Sequence, residues 1–191
     1  MLALATMKHP AAPDPADLGQ IDPKLFLEPV DFLLADHYRQ RTLCRLLDGI
    51  VAEPPGLATQ APAAAVCTYL RRDLPWHIAD EEIQLFPRLR ERALPGDGTA
   101  EMLSLLEREH GGDQAQVNDL LENLDRLAQG LAPTDSTAFA ARVRGFAEVQ
   151  RRHLAWENAM VVPLARRLLN AADKVEIGRN MARRRMLAYP S

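Results

Sequence analysis

Two stretches of this chain share one spacing. HIADEEIQLFP, residues 77–87, and HLAWENAMVVP, residues 153–163, each carry a histidine, a glutamate four residues on and a proline ten residues on. Positions i and i+4 of an α-helix are neighbours on one face. The spacing therefore predicts that His77 and Glu81 share a face of one helix, and His153 and Glu157 a face of another. The proline that follows has no N–H to donate, so each helix must be distorted where it passes through. Any fold for this chain has to provide two such helices and a role for their paired donors.

The remaining pattern is helical throughout. A first helix is expected from about Pro29 to Ala52, with Phe32, Leu33, Leu43, Leu46, Leu47 and Ile50 as its apolar stripe. Proline suits its first position, where an N–H would be unpaired anyway. EPPG at 53–56 ends it. A second helix is expected from about Pro62 to Ala93, with Pro75 and Pro87 inside. A third runs from an N-cap at Thr99 to about Gln129, with Gly130 as its stop. Gly111 and Gly112 cost that helix stability, which predicts close backbone packing or a local distortion. A fourth runs from about Ser136 to Asn170 around Pro163, and a short fifth, about Ala172 to Met186, covers one end. No stretch alternates as a strand does. The expected fold is all-α, an up-down-up-down four-helix bundle. Residues 1–28, which include His9, read as a flexible Pro-rich arm, 29–170 as the bundle, and 171–191 as a short helix and tail.

Bulk chemistry excludes several roles. A net charge of −3 leaves no footprint for nucleic acid. The triplet Arg183-Arg184-Arg185 reads as a solvated helix face. Cys44 and Cys67 make no disulfide framework and read as core residues; their heights in the expected register also put a redox pair within reach. No apolar run approaches the ~20 residues of a membrane span, and MLALATMKHP is too short and weakly apolar for a secretory signal. A cytoplasmic protein is the expectation.

Each long helix carries one histidine: His37, His77, His110 and His153. His37 lies about 15 residues before the end of its helix and His77 about 15 after the start of the next, level positions for antiparallel rods rising ~1.5 Å per residue. His110 and His153 match nearly as well, whereas His77 and His110 match poorly across their shared loop, where Glu81 fits the level better and the proline kinks blur the register. The chain also repeats itself weakly. Asp36-His37 leads to His77, Glu81 and Pro87, and Glu109-His110 leads to His153, Glu157 and Pro163. Two such hairpins would face two His-His-Glu sets toward each other. Imidazole suits iron, copper and zinc, and carboxylates neutralise charge and can bridge two ions. Six protein donors for two metals leave positions for an oxo or hydroxo bridge and for an outside molecule. Any one of these histidines, taken alone, reads more readily as an ordinary hydrogen-bonded core or surface residue. It is the matched set that favours metal.

DHYRQ at 36–40, HIADEEIQLFPRL at 77–89, EREH at 107–110 and HLAWENAMVVPLA at 153–165 resemble the hemerythrin family, in its HHE cation-binding branch. The likeness covers about residues 29–170. It implies a four-helix bundle around two non-haem iron ions, oxo- or hydroxo-bridged, although zinc suits the same donors. By position, His37, His77, His110 and His153 would be terminal ligands, and Glu81 and Glu157 bridging carboxylates. Oxygen-carrying members have a further histidine where this chain has Gln114, and an aspartate at a longer spacing where it has Glu157. The resemblance thus points away from reversible oxygen carriage. It points toward binding, sensing or reacting with O₂, nitric oxide or peroxide, while the charge and apolar pattern above leave no nucleic acid or membrane as an expected partner. A sensor or metal-binding protein is favoured over a dedicated enzyme; iron handling or oxidase-like chemistry on the same bundle is the alternative.

Around the site, Trp156, Tyr38 and Tyr69 are candidate neighbours, each with an ordinary packing alternative, and Glu82 is a possible substitute ligand. Asp36 and Glu109 point about 100° from the adjacent histidines and are poor partners for the same ion. A ferritin-like oxidase needs Glu-x-x-His on two helices, and only Glu107 to His110 fits. A metal-free interaction bundle is the remaining rival.

Overall fold

The structure, a computed structural model, describes residues 13–190. Among these residues every regular element is helical. Helix α1 spans Pro29–Ala52, with Pro29 at its first position as expected. The second rod is composite. It begins with α2, Leu57–Thr68, five residues ahead of the expected start, so Pro62 lies inside rather than at the edge. It continues through α3, Leu74–Ala79, and α4, Phe86–Arg92. Then come α5, Thr99–Ala128; α6, Ser136–Trp156; α7, Val162–Leu168; and α8, Ala171–Arg184.

The distortions expected at the prolines are π turns. They occupy Tyr69–Asp73, Asp80–Leu85 and Glu157–Val161, and join α2 to α3, α3 to α4 and α6 to α7. In each, the residue just before the proline donates five residues back: Leu74 to Tyr69, Phe86 to Glu81, Val162 to Glu157. Pro75, Pro87 and Pro163 then fall in the first turn of the next α segment, where a missing N–H costs little. The rods therefore carry on past the prolines.

Helix α1 packs on α2 and α6, α2 packs on α5, and α5 packs on α6. Two apolar clusters form the core. One gathers Leu43, Leu47, Val66, Leu120, Leu124, Val143 and Phe146; the other gathers Phe26, Phe32, Leu33, Phe86, Leu106, Val161 and Met181. Along each long rod the chain passes from one cluster to the other, and the histidine lies between: His37 between Leu33 and Leu43, His77 between Leu74 and Leu85, His110 between Leu106 and Val117, His153 between Phe146 and Val161. The result is a polar belt held between two greasy lobes.

Several expectations need correction. Residues 15–18 and 23–27 form two 3₁₀ turns capped by Asp14 and Asp22, and Leu18 and Phe26 are buried. The described part of the arm is thus packed rather than loose, because its two apolar side chains find core to cover them. His9 lies outside the described residues. Thr99 is the first residue of α5, with Gly98 as its cap. Gly111 and Gly112 neither interrupt α5 nor pack closely, since an added Cβ would meet nothing within 4 Å. The close glycine contact is in α8, where a Cβ on Gly178 would come 1.9 Å from the Phe26 carbonyl oxygen. The arginine triplet is not a solvated face either. Only Arg183 is exposed; Arg184 and Arg185 pair with the buried carboxylate of Asp80 and pin the end of α8 to the second rod.

Candidate metal centre

The polar belt brings all six sequence-selected donors together. His37, His77, Glu81 and Glu157 offer donor atoms within 4.8 Å of one another, and so do Glu81, His110, His153 and Glu157. The two sets share Glu81 and Glu157. All six side chains are buried.

The His77–Glu81 and His153–Glu157 pairs behave as helical spacing requires, with Nε2 to carboxylate distances of 3.4 and 2.9 Å. Across helices, His37 Nε2 lies 3.4 Å from Glu157 and 3.7 Å from Glu81. His110 Nε2 lies 3.5 Å from Glu81 and 2.9 Å from His153 Nε2. Donors held ~2.1 Å from one ion in octahedral or tetrahedral array lie ~3.0–3.4 Å apart. The belt has that scale. His37 Nε2, His77 Nε2, Glu81 Oε2 and Glu157 Oε2 are buried with no hydrogen-bond partner. Unpaired buried polar atoms are costly, and four in one place are explained by a cation between them.

Each imidazole is oriented from behind. Nδ1 of His37 faces Asn158 Oδ1 at 3.1 Å, and that of His77 faces Asp36 Oδ2 at 3.2 Å. Nδ1 of His110 faces Glu82 Oε1 at 2.9 Å, and that of His153 faces Glu109 Oε2 at 2.7 Å. Four oxygen acceptors hold a proton on Nδ1 and turn each Nε2 toward the centre, where it can offer a lone pair to a cation once unprotonated. Asp36 is held in turn by the Tyr69 hydroxyl, which donates to Oδ1 at 3.0 Å, and by Arg39 at 2.6 Å.

Sequence reasoning set Asp36 and Glu109 aside because they point away from the adjacent histidine. That holds for the neighbour in sequence, yet each reaches the histidine of the next long helix in the chain. The pseudo-repeat carried this signal, since an acidic residue precedes His37 and His110 alike. Asn158 had no comparable cue. Glu82 backs His110 instead of joining the donor set. Tyr69 is buried beside Asp36, whereas Tyr38 and Trp156 are exposed and pack into neither the site nor the core.

Charge is strongly coupled across the belt. Burial and the facing Glu157 charge push the Glu81 carboxyl well above its ordinary range. Burial works the same way on Glu157, but its hydrogen bond to His153 and the nearby histidine charges outweigh it and hold the group below its usual range. Burial disfavours charge on His153, yet Glu157 and Glu109 overcome it and raise this imidazole to about 10. His110, desolvated and beside that cation, falls to about 3. Without metal, protons do the neutralising. Both thiols are free and buried, and burial raises Cys44 to about 11 and Cys67 to about 12. Burial disfavours the thiolate, the reactive form, and supports a packing role for both.

No helix among the described residues is long and apolar enough to cross a membrane. The family model of the hemerythrin HHE cation binding domain matches residues 28–165. An uncharacterized protein of Haemophilus influenzae is 28% identical over 166 residues, covering 84% of this chain and 91% of that one. No solved structure matches. A match over most of the chain, centred on a belt of four imidazoles and two carboxylates, is decisive: the chain belongs to the hemerythrin HHE cation-binding family.

Proposed function

We propose that this protein holds two non-haem iron ions and uses them to bind, sense or react with O₂, nitric oxide or peroxide. His37 and His77 would serve one ion, His110 and His153 the other, and Glu81 and Glu157 both. The observation that carries this reading is the sharing of the two carboxylates between otherwise separate histidine pairs. A single-ion site has no use for that arrangement, whereas a pair of cations is neutralised by it. The rods in this reading run up-down-up-down, and the bundle corresponds to residues 29–170, in keeping with the family match.

When bound, iron supplies redox chemistry toward a small oxidant. The chain's own part is positional and electrostatic. Asn158, Asp36, Glu82 and Glu109 fix the imidazoles, so little reorganisation is needed when a cation enters. The two apolar lobes keep bulk water from the belt and strengthen the interactions inside it. Burial of every donor favours a small molecule over a bulky substrate, which is why sensing or binding is preferred to a dedicated enzyme.

Iron content and spectroscopy test this. Anaerobic reconstitution should give about two irons per chain. Reduction followed by O₂, nitric oxide or peroxide should change the visible spectrum. Binding of one ion, or of zinc in preference to iron, would overturn the di-iron reading, and an inert spectrum would overturn the oxidant chemistry.

A further inference from the structure

We propose that a second cavity, walled by α1, the second rod and the chain just after α8, binds a small organic monoanion with a flat apolar body, of the aromatic carboxylate class. Its volume is about 220 Å³, and Phe32, Arg39, Arg72, Trp76, Arg185 and Leu187 are among its walls. That is room for about seven waters, or roughly ten non-hydrogen atoms of an organic molecule.

The lining pairs guanidinium groups with aromatic rings. The Arg185 guanidinium lies 4.6 Å from the Phe32 ring centre and 5.6 Å from that of Trp76, and the Arg72 guanidinium lies 5.5 Å from Trp76. Such a wall takes a planar body on its rings and a carboxylate on its donors.

Charge selects the ligand. Arg39, Arg72, Arg184 and Arg185 share only Asp36, Asp73 and Asp80. One positive charge is left over, which suits a monoanion. Arg39 is 6% exposed. Its Nη atoms are taken by Asp36, Asp73 and the Leu18 carbonyl, so it adds fixed charge to the wall.

Met186 is at the rim. Its left-handed backbone, φ 56°, closes α8, with the Leu187 N–H donating to Ala182 and the Met186 N–H to Arg183. This turn carries the chain over the cavity and leaves Met186 87% exposed.

Arg39 also joins this cavity to the belt, since its partner Asp36 backs His77. An anion here should therefore alter metal affinity. That clause rests on the di-iron reading; occupancy of the cavity does not.

The test uses the full chain with Trp156→Phe, which leaves Trp76 as the only tryptophan. With metal removed, benzoate should quench Trp76 fluorescence saturably and bind one per chain by calorimetry. Benzamide, equal in shape but neutral, should bind ~10-fold or more weakly, as should benzoate to Arg72→Gln, since a charge-assisted bond is lost in each case. Arg72 is exposed, so that variant should unfold at the parent temperature. No saturable binding up to about 10 mM benzoate, or equal binding of benzamide, would overturn the proposal. Iron-loaded chain should then show a metal affinity that changes with benzoate; unchanged affinity despite retained binding would overturn only the link to the belt.

Discussion

Glu109 and His153 lie on different helices, and Glu109 accepts a hydrogen bond from His153 Nδ1 at 2.7 Å. The glutamate is partly exposed, so Glu109→Ala removes the support without opening the core. Metal affinity should fall by ~10–100-fold with all six donors intact. Glu109→Gln, which still offers an acceptor, should lose less. Competition titration against a chelator measures both.

Glu157 reaches both donor groups, whereas His77 belongs to one. Glu157→Ala should therefore reduce occupancy of both ions, and His77→Ala chiefly that of one. Metal analysis after identical reconstitution distinguishes them. Equal stoichiometry in the two variants would contradict a shared carboxylate.

Proton linkage gives a signed prediction. His153 is raised from 6.5 to about 10 in the metal-free chain. Its stabilising contribution is then complete below about 6.5 and is lost as pH rises through about 10. Metal binding needs Nε2 deprotonated, so uptake near pH 7.5 should release protons, and affinity should rise with pH. Denaturant unfolding should show the metal-free chain weakening over the window in which the loaded chain does not. Acidification should release the metal.

Cys44 and Cys67 should resist alkylation in the folded chain at pH 8 and react at once in denaturant. Both thiols are raised, to about 11 and about 12, from 9.0. Their contribution to stability is thus complete below pH 9 and is lost as pH rises toward those values. Labelling followed by mass spectrometry reads this directly.

Two glycine substitutions should move stability in opposite directions. Gly111 is exposed within α5 with open space around its Cβ position. Gly111→Ala should stabilise by about 0.5–1 kcal/mol. Gly178→Ala would drive a methyl into the Phe26 carbonyl. It should cost about 1–3 kcal/mol, because backbone rather than a pliable side chain must give way. Thermal or denaturant melts decide both.

The donor set could be read in the sequence because an i, i+4 pair has one geometric meaning on a helix, and because one histidine per long helix leaves few ways to arrange them. The support behind each imidazole was harder to see. Asp36 supports His77 across two helices, a distance of 41 residues in sequence, and spacing rules on a single helix cannot find such a pair. The π turns were foreshadowed only as distortions. Proline forbids one bond, but it does not specify which carbonyl the preceding N–H will choose. Arg184 and Arg185 misled for a related reason: three adjacent charges look solvated until a buried acid, Asp80, is found opposite.

The belt between the two lobes has a consequence for how the molecule comes apart. Each lobe is held by ordinary apolar packing, while the waist sets carboxylate against carboxylate and imidazole against imidazole. Stripped of its cation, the chain has its weakest cross-section at mid-height. Amide exchange in the stripped protein should then begin around His77, His110 and His153, in the interior, before it reaches residues such as Leu47 or Leu124 in the lobe beside them. A cation at the waist would act as a keystone, and its loss would be felt first in the middle.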